Sequence, residues 1–117
     1  MVEKNEKQLS LKSKLWLESQ GRPIIGEGRM AMLQAIQDHR SILQASRETG
    51  ISYRRMRGAI RDMEKAIGQS LVIARRGGSD GGYAELTPAA KDLLDSFKAL
   101  TEGFHDETDT RFNAIFG

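Results

Sequence analysis

The segment SILQASRETGISYRRMRGAIRDMEKAIG, residues 41–68, carries the densest local signal in a chain of 117 residues. Ser41 is an N-cap for a short helix through about Thr49, and Gly50 permits the left-handed conformation that ends a helix abruptly. Ser52 is the next N-cap. Behind it Met56, Ala59, Ile60, Met63 and Ile67 form an apolar stripe at helical spacing, on a helix that ends near Gly68. The segment therefore reads helix, glycine turn, helix. In that motif the first helix needs a small surface where the second crosses it, supplied by Ala45 and Ser46, and the turn needs a buried apolar residue, supplied by Ile51. The opposite face of the second helix is cationic: Arg54, Arg57 and Arg61 fall on one ridge, with Tyr53 and Arg55 beside it. These guanidiniums repel one another unless an anion lies between them. Glu64 is placed to neutralise Arg61 in part, but Arg54, Arg55 and Arg57 have no acid one turn ahead. A phosphate backbone relieves such repulsion, and a guanidinium also reads guanine O6 and N7.

Outward from this unit, the charge distribution repeats the message. The net charge of +2 conceals a basic middle, residues 51–76, with seven basic groups against two acidic, and an acidic end, residues 77–117, with three against eight. A basic patch on one helix suggests a polyanionic partner. The length and the 38% hydrophobic content imply a single small soluble domain. No apolar run reaches the roughly 18 residues of a membrane span, and the polar start MVEKNEKQLS does not resemble a signal peptide, so a cytoplasmic location without membrane partners is expected. The absence of cysteine removes disulfides, thiolate metal sites and cysteine nucleophiles. With His39 and His105 as isolated imidazoles, no catalytic constellation, metal site or cofactor is expected, and the chain is not read as an enzyme.

On the N-terminal side, Leu11, Leu15 and Leu17 suggest a strand over residues 11–18, followed by a turn at Gln20-Gly21-Arg22-Pro23. A helix is expected at about 27–39 from Met30, Leu33 and Ile36, with His39 at its C-terminal end. On the C-terminal side, residues 71–76 and 83–86 read as a hairpin tipped by Gly77, Gly78, Gly81 and Gly82. Thr87-Pro88 then opens a last helix, on which Leu93, Phe97, Leu100 and Phe104 recur at spacings of four, three and four. Gly103 and the acidic group around Asp106 weaken its continuation toward Phe112, Ile115 and Phe116. The fold class expected is mainly α with a small β component: a winged helix-turn-helix with an N-terminal strand and a long C-terminal helix.

On the residues Gly50-Ile51-Ser52-Tyr53-Arg54-Arg55, Ala59-Ile60, Met63, Leu71-Val72, the glycine pairs 77–78 and 81–82, and Ala84, Leu86 and Thr87, the chain resembles the N-terminal winged-helix domain of ModE-type molybdate-responsive transcription regulators, related to the LysR type. The resemblance covers roughly residues 11–100. It implies a sequence-specific regulator in which Ser52, Tyr53, Arg54 and Arg55 start the recognition helix, bound to double-stranded DNA as a homodimer. Met56-Arg57 stands where that family usually has Ala-Trp, so Arg57 rests on the ridge argument alone, and Ile73-Ala74 stands where Glu-Arg is usual, which shifts the wing charge to Arg75 and Arg76. With the sequence running to Gly117, the oxyanion-binding domain of those regulators is not expected here, molybdate sensing is not implied, and the effector is left unidentified.

The expected organisation is a flexible stretch over 1–10, the winged domain over 11–87, and a dimerisation helix over 88–117 whose seam includes Leu93, Phe97, Leu100 and Phe104. The expected DNA-facing set is Ser52, Tyr53, Arg54, Arg55, Arg57, Arg61, Arg75 and Arg76, with the four wing glycines. The competing reading is a protein-interaction module that docks an acidic protein surface.

Overall fold

The computed structural model describes residues 8–75 and 82–117. Two short strands, β1 (Trp16–Ser19) and β2 (Arg22–Gly26), form an antiparallel hairpin, followed by three helices, α1 (Glu27–His39), α2 (Ile42–Thr49) and α3 (Tyr53–Ile67). A second antiparallel pair, β3 (Val72–Arg75) and β4 (Tyr83–Leu86), precedes the long helix α4 (Pro88–Phe116). This is the winged helix-turn-helix expected, with α2 and α3 as the motif and β3–β4 as the wing.

Its caps follow from the residue types. Ser41 Oγ accepts from the Gln44 amide at 3.1 Å and Ser52 Oγ from the Arg55 amide at 3.1 Å. The sharp turn between α2 and α3 requires Gly50 at φ 74°, a backbone conformation that costs side-chain-bearing residues more than glycine. Ser46 Oγ closes the turn by donating to the Ile51 carbonyl at 2.6 Å.

The core lies where α1, α2, α3, the wing base and the start of α4 meet. Leu33, Ile36, Ala45, Met56, Met63, Leu71, Leu94 and Phe97 are all fully buried. On α1 the buried face is Met32, Leu33, Ala35 and Ile36, whereas Met30 is half-buried and Ala31 exposed. Ile51 is likewise only half-buried against the core.

The N-terminal strand departs from expectation. Residues 8–15 carry no strand, and Arg22-Pro23, read as turn, begins β2. The reversal is made by Gln20 (φ 51°) and Gly21 (φ 80°). Proline fits because β1–β2 is a two-stranded sheet whose register shifts between Leu17 and Glu18, so a missing amide donor is tolerated.

The last helix is the long one expected, but its inward face differs. It runs unbroken for 29 residues through Gly103, where a Cβ would meet nothing within 4 Å. Its buried face is Ala90, Leu94, Phe97 and Thr101. The expected stripe of Leu93, Phe97, Leu100 and Phe104 is therefore split: Phe97 is consumed by the core and is not available to a seam. Leu93 is half-buried at the core edge, Leu100 is 47% exposed, and Phe104 is half-buried. Two overlapping stripes at helical spacing share Phe97, and periodicity alone cannot say which one turns inward.

Thr87 joins the wing to α4. Its amide donates to the Leu71 carbonyl at 3.0 Å, its hydroxyl donates to the Ser70 carbonyl at 2.8 Å, and the same oxygen accepts from the Ala90 amide at 3.2 Å. Thr87→Val keeps the shape and deletes both side-chain bonds. It should cost about 1–3 kcal/mol in urea unfolding, while Thr87→Ser stays near wild type.

Candidate nucleic-acid interface

Helix α3 positions the cationic residues. Its inner face, Met56, Ala59, Ile60 and Met63, is buried, which turns Tyr53, Arg54, Arg55 and Arg61 outward, with Arg57 half-buried on the flank. The Arg57 guanidinium lies 5.9 Å from the centre of the Tyr53 ring, a cation–π distance that orients both side chains.

Two clefts flank α3. On the wing side, a cleft of about 600 Å³ is lined by Tyr53, Arg54, Arg57 and Arg61 together with Arg75 and Tyr83. On the other side, a groove of about 790 Å³ separates α3 from the N-terminal hairpin, with Ser52, Arg54, Arg55 and Gly58 facing Lys14 and Trp16. Of the residues singled out from the sequence, Arg57, Arg61, Arg75 and Gly82 thus gather at the wing side and Ser52 and Arg55 at the hairpin side. Arg54 stands between the two. Arg76, Gly77, Gly78 and Gly81 lie outside the described residues.

The acids near α3 are committed elsewhere. Glu64 does not neutralise Arg61: its Oε2 accepts from the backbone amides of Leu71 at 2.8 Å and Val72 at 3.3 Å, which pins the start of the wing to α3. Asp62 pairs with Arg29 at 3.5 Å. Among the described residues, Arg54, Arg55, Arg57, Arg61 and Arg75 have no carboxylate within 4.0 Å. A ridge of like positive charges favours an anionic partner over a cationic one.

The wing is anchored by a residue that sequence reasoning passed over. Arg40, in the left-handed region at φ 53°, accepts from the Ala84 amide at 2.9 Å through its carbonyl. Its Nη1 donates to Tyr83 Oη at 3.1 Å, and that hydroxyl donates to Glu85 at 3.3 Å. No local pattern could reveal this, since Arg40 and Tyr83 are 43 residues apart.

Gly58 is a second such residue. It lies in the middle of α3, where glycine costs about 1 kcal/mol relative to alanine, yet a Cβ there would meet nothing within 4 Å. Packing within the chain does not call for it.

His105 is not isolated. Its Nδ1 lies 2.7 Å from Ser13 Oγ and its Nε2 lies 3.0 Å from Glu27 Oε1. Serine, histidine and carboxylate do line up, contrary to the sequence reading. The imidazole and carboxylate side chains are 32% and 40% exposed, and the line ties the segment before β1 and the start of α1 to the middle of α4. It serves as a tie between three parts of the chain. Among the described residues no group of three or more His, Cys, Asp or Glu is arranged to hold a metal ion, and no helix is long and apolar enough to cross a membrane.

Comparison with known proteins gives a consistent picture. The family model described as bacterial regulatory helix-turn-helix protein, lysR family, matches residues 28–91. The chain is 38% identical over 89 residues to the molybdenum-pterin-binding protein MopA of Rhodobacter capsulatus, covering 76% of this chain and 33% of that protein. It is 36% identical over 86 residues to the transcriptional regulator ModE of Yersinia pestis, covering 74% and 33%. The chain thus spans about a third of the length of these relatives. Among solved structures, the CbnR DBD in complex with DNA superposes with a TM-score of 0.60 at 17% identity, over 75% of this chain and 95% of that one. The BenM DBD bound to benA site 1 DNA superposes with a TM-score of 0.58 at 16% identity, over 77% and 96%.

Proposed function

The chain belongs to the lysR family of bacterial regulatory helix-turn-helix proteins, and from that premise we propose that it is the DNA-binding part of a transcription regulator, which acts on double-stranded DNA as a homodimer. Family and fold are those of a regulator and not of an enzyme. The observation that carries the reading is the row of arginines on α3 and the wing with no carboxylate partner among the described residues. Two of the superposed folds are named as DNA complexes, and one relative is named a transcriptional regulator, which supports the same conclusion.

In this reading α3 enters the major groove. Tyr53, Arg54, Arg55 and Arg57 face base edges, Arg61 meets the backbone, Ser52 spends its hydroxyl oxygen mainly on capping α3, and Arg75 on β3 reaches the neighbouring phosphates. Dimerisation falls to α4. Its 29 residues reach roughly 43 Å at 1.5 Å per residue, and the part beyond Thr101 carries Phe104, Phe112, Ile115 and Phe116 outside the core. Leu100 and Ile115 are 47% and 58% exposed, which suits a partner helix better than solvent.

The test is a salt titration against a mixed-sequence duplex, followed by selection of bound sites from random DNA. Neutralising about eight phosphates per dimer gives a log–log slope of about −7, and a palindrome with a defined half-site spacing is expected from the selection. A slope near zero would remove the electrostatic basis of the reading. Failure of selection to enrich any site would leave binding without sequence specificity.

A further inference from the structure

We propose that the groove between the N-terminal hairpin and α3 is a second nucleic-acid contact surface, one that receives a sugar–phosphate strand of the duplex opposite the strand taken by the wing. The proposal rests on the DNA-binding reading above and extends it to residues that lie outside the matched family region, which begins at residue 28, beyond Lys14, Trp16 and the whole hairpin.

Shape comes first. A helix with its side chains is about 10–12 Å across, and the major groove is about 12 Å wide, so a helix seated in it has one backbone wall on either flank. Helix α3 is flanked by a cleft on each side. The wing-side cleft accounts for one wall. The hairpin-side groove is the place for the other.

That groove is held open by fixed parts. Arg29 on α1 donates to the Ile24 carbonyl of β2 at 2.9 Å and pairs with Asp62 of α3 at 3.5 Å, so one guanidinium spans hairpin, α1 and α3. Ile25 of β2 is 1% exposed and locks the strand into the core. On the rim, the Trp16 indole is 48% exposed, yet it is held: its Nε1 donates to Glu18 at 2.8 Å and Lys14 Nζ lies 5.8 Å from the ring centre. A large indole that is exposed but oriented is a contact surface kept ready for a partner.

Charge decides the kind of partner. Lys14, Arg29, Arg54 and Arg55 line the groove against two acids, Glu27 and Asp62, which leaves a surplus of two positive charges. Among the described residues Lys14, Arg54 and Arg55 have no carboxylate within 4.0 Å. Phosphate answers that surplus, and the indole face suits the edge of a deoxyribose.

Gly58 supplies an independent observation. It lines this groove at mid-helix, it lacks a steric reason within the chain, and it weakens α3. Bare backbone at such a position allows close approach of something outside the fold. In this arrangement Lys14 binds phosphate, Trp16 lies against sugar, and Gly58 marks the closest approach of the strand.

The experiment compares Lys14→Ala and Gly58→Ala with the unmodified chain, by thermal melting and by fluorescence anisotropy against a mixed-sequence 30-bp duplex over a salt series. Gly58→Ala should melt roughly 3–5 °C higher while binding about tenfold more weakly. Lys14→Ala should keep the wild-type melting temperature and make the slope shallower by about 0.9 per protomer. If both variants bind as the wild type does while loss of the α3 arginines still weakens binding, DNA recognition stands and the hairpin groove is plain surface. A Gly58→Ala chain that melts lower overturns the proposal by showing that the fold itself requires the glycine. If the unmodified chain fails to bind the duplex, the DNA-binding reading falls and this surface falls with it.

Discussion

Phe97→Ala lowers the unfolding free energy by about 3–5 kcal/mol, because it removes a fully buried aromatic ring that α4 contributes to the core and leaves a cavity that the surroundings fill only in part. A loss of that size is comparable to a large share of the total stability of a domain this small. Leu100, one turn further along the same helix, behaves differently. It is 47% exposed, so Leu100→Glu should change stability by no more than about 0.5 kcal/mol. If α4 joins two copies, the same substitution shifts sedimentation from dimer to folded monomer. The pair separates core from seam: Phe97→Ala read by urea unfolding, Leu100→Glu by sedimentation. A Phe97→Ala chain as stable as the wild type would contradict the packing described for α4. A Leu100→Glu chain that remains dimeric would move the dimer contact away from this part of the helix.

The second large effect concerns binding. Replacing Arg54, Arg57 and Arg61 together by alanine takes six guanidiniums from a dimer, three from each wing-side cleft. Loss of Arg61 removes two phosphate contacts per dimer, so the salt slope should fall from about −7 to about −5, and with the base-edge contacts of Arg54 and Arg57 lost as well, affinity at physiological salt should drop by roughly a thousandfold. Stability should not suffer. Alanine is at least as good a helix former as arginine, and removing neighbouring like charges from one ridge relieves repulsion within α3. Retained affinity, measured by the same anisotropy titration with a folded variant, would assign the polyanion contact to some other face.

Much of this site was legible in the residues between Ser41 and Gly68. Ser41, Gly50 and Ser52 each act through atoms two to four positions away, so their capping and turning roles depend on local order. The arginine ridge follows from helical spacing once Met56, Ala59, Ile60 and Met63 face inward. Other features could not be read that way. Strands of four or five residues such as β1 and β2 take their register from each other, and Arg22-Pro23 looks like a turn until its partner strand is known. Glu64 sits at the right spacing to meet Arg61, but the backbone amides of Leu71 and Val72 compete for its carboxylate and win, since buried donors without partners cost more than an exposed ion pair returns.

By itself the sequence determined the helix-turn-helix, the position of the wing, and the sign of the charge that α3 presents, because these rest on capping, turning and periodicity within a few residues. Tertiary structure alone decided that Phe97 belongs to the core, that His105 ties Ser13 to Glu27, and that the arginines divide between two clefts with the N-terminal hairpin forming the wall of one. Each depends on which of several locally equivalent faces meets a distant part of the chain, and only packing of the whole chain makes that choice.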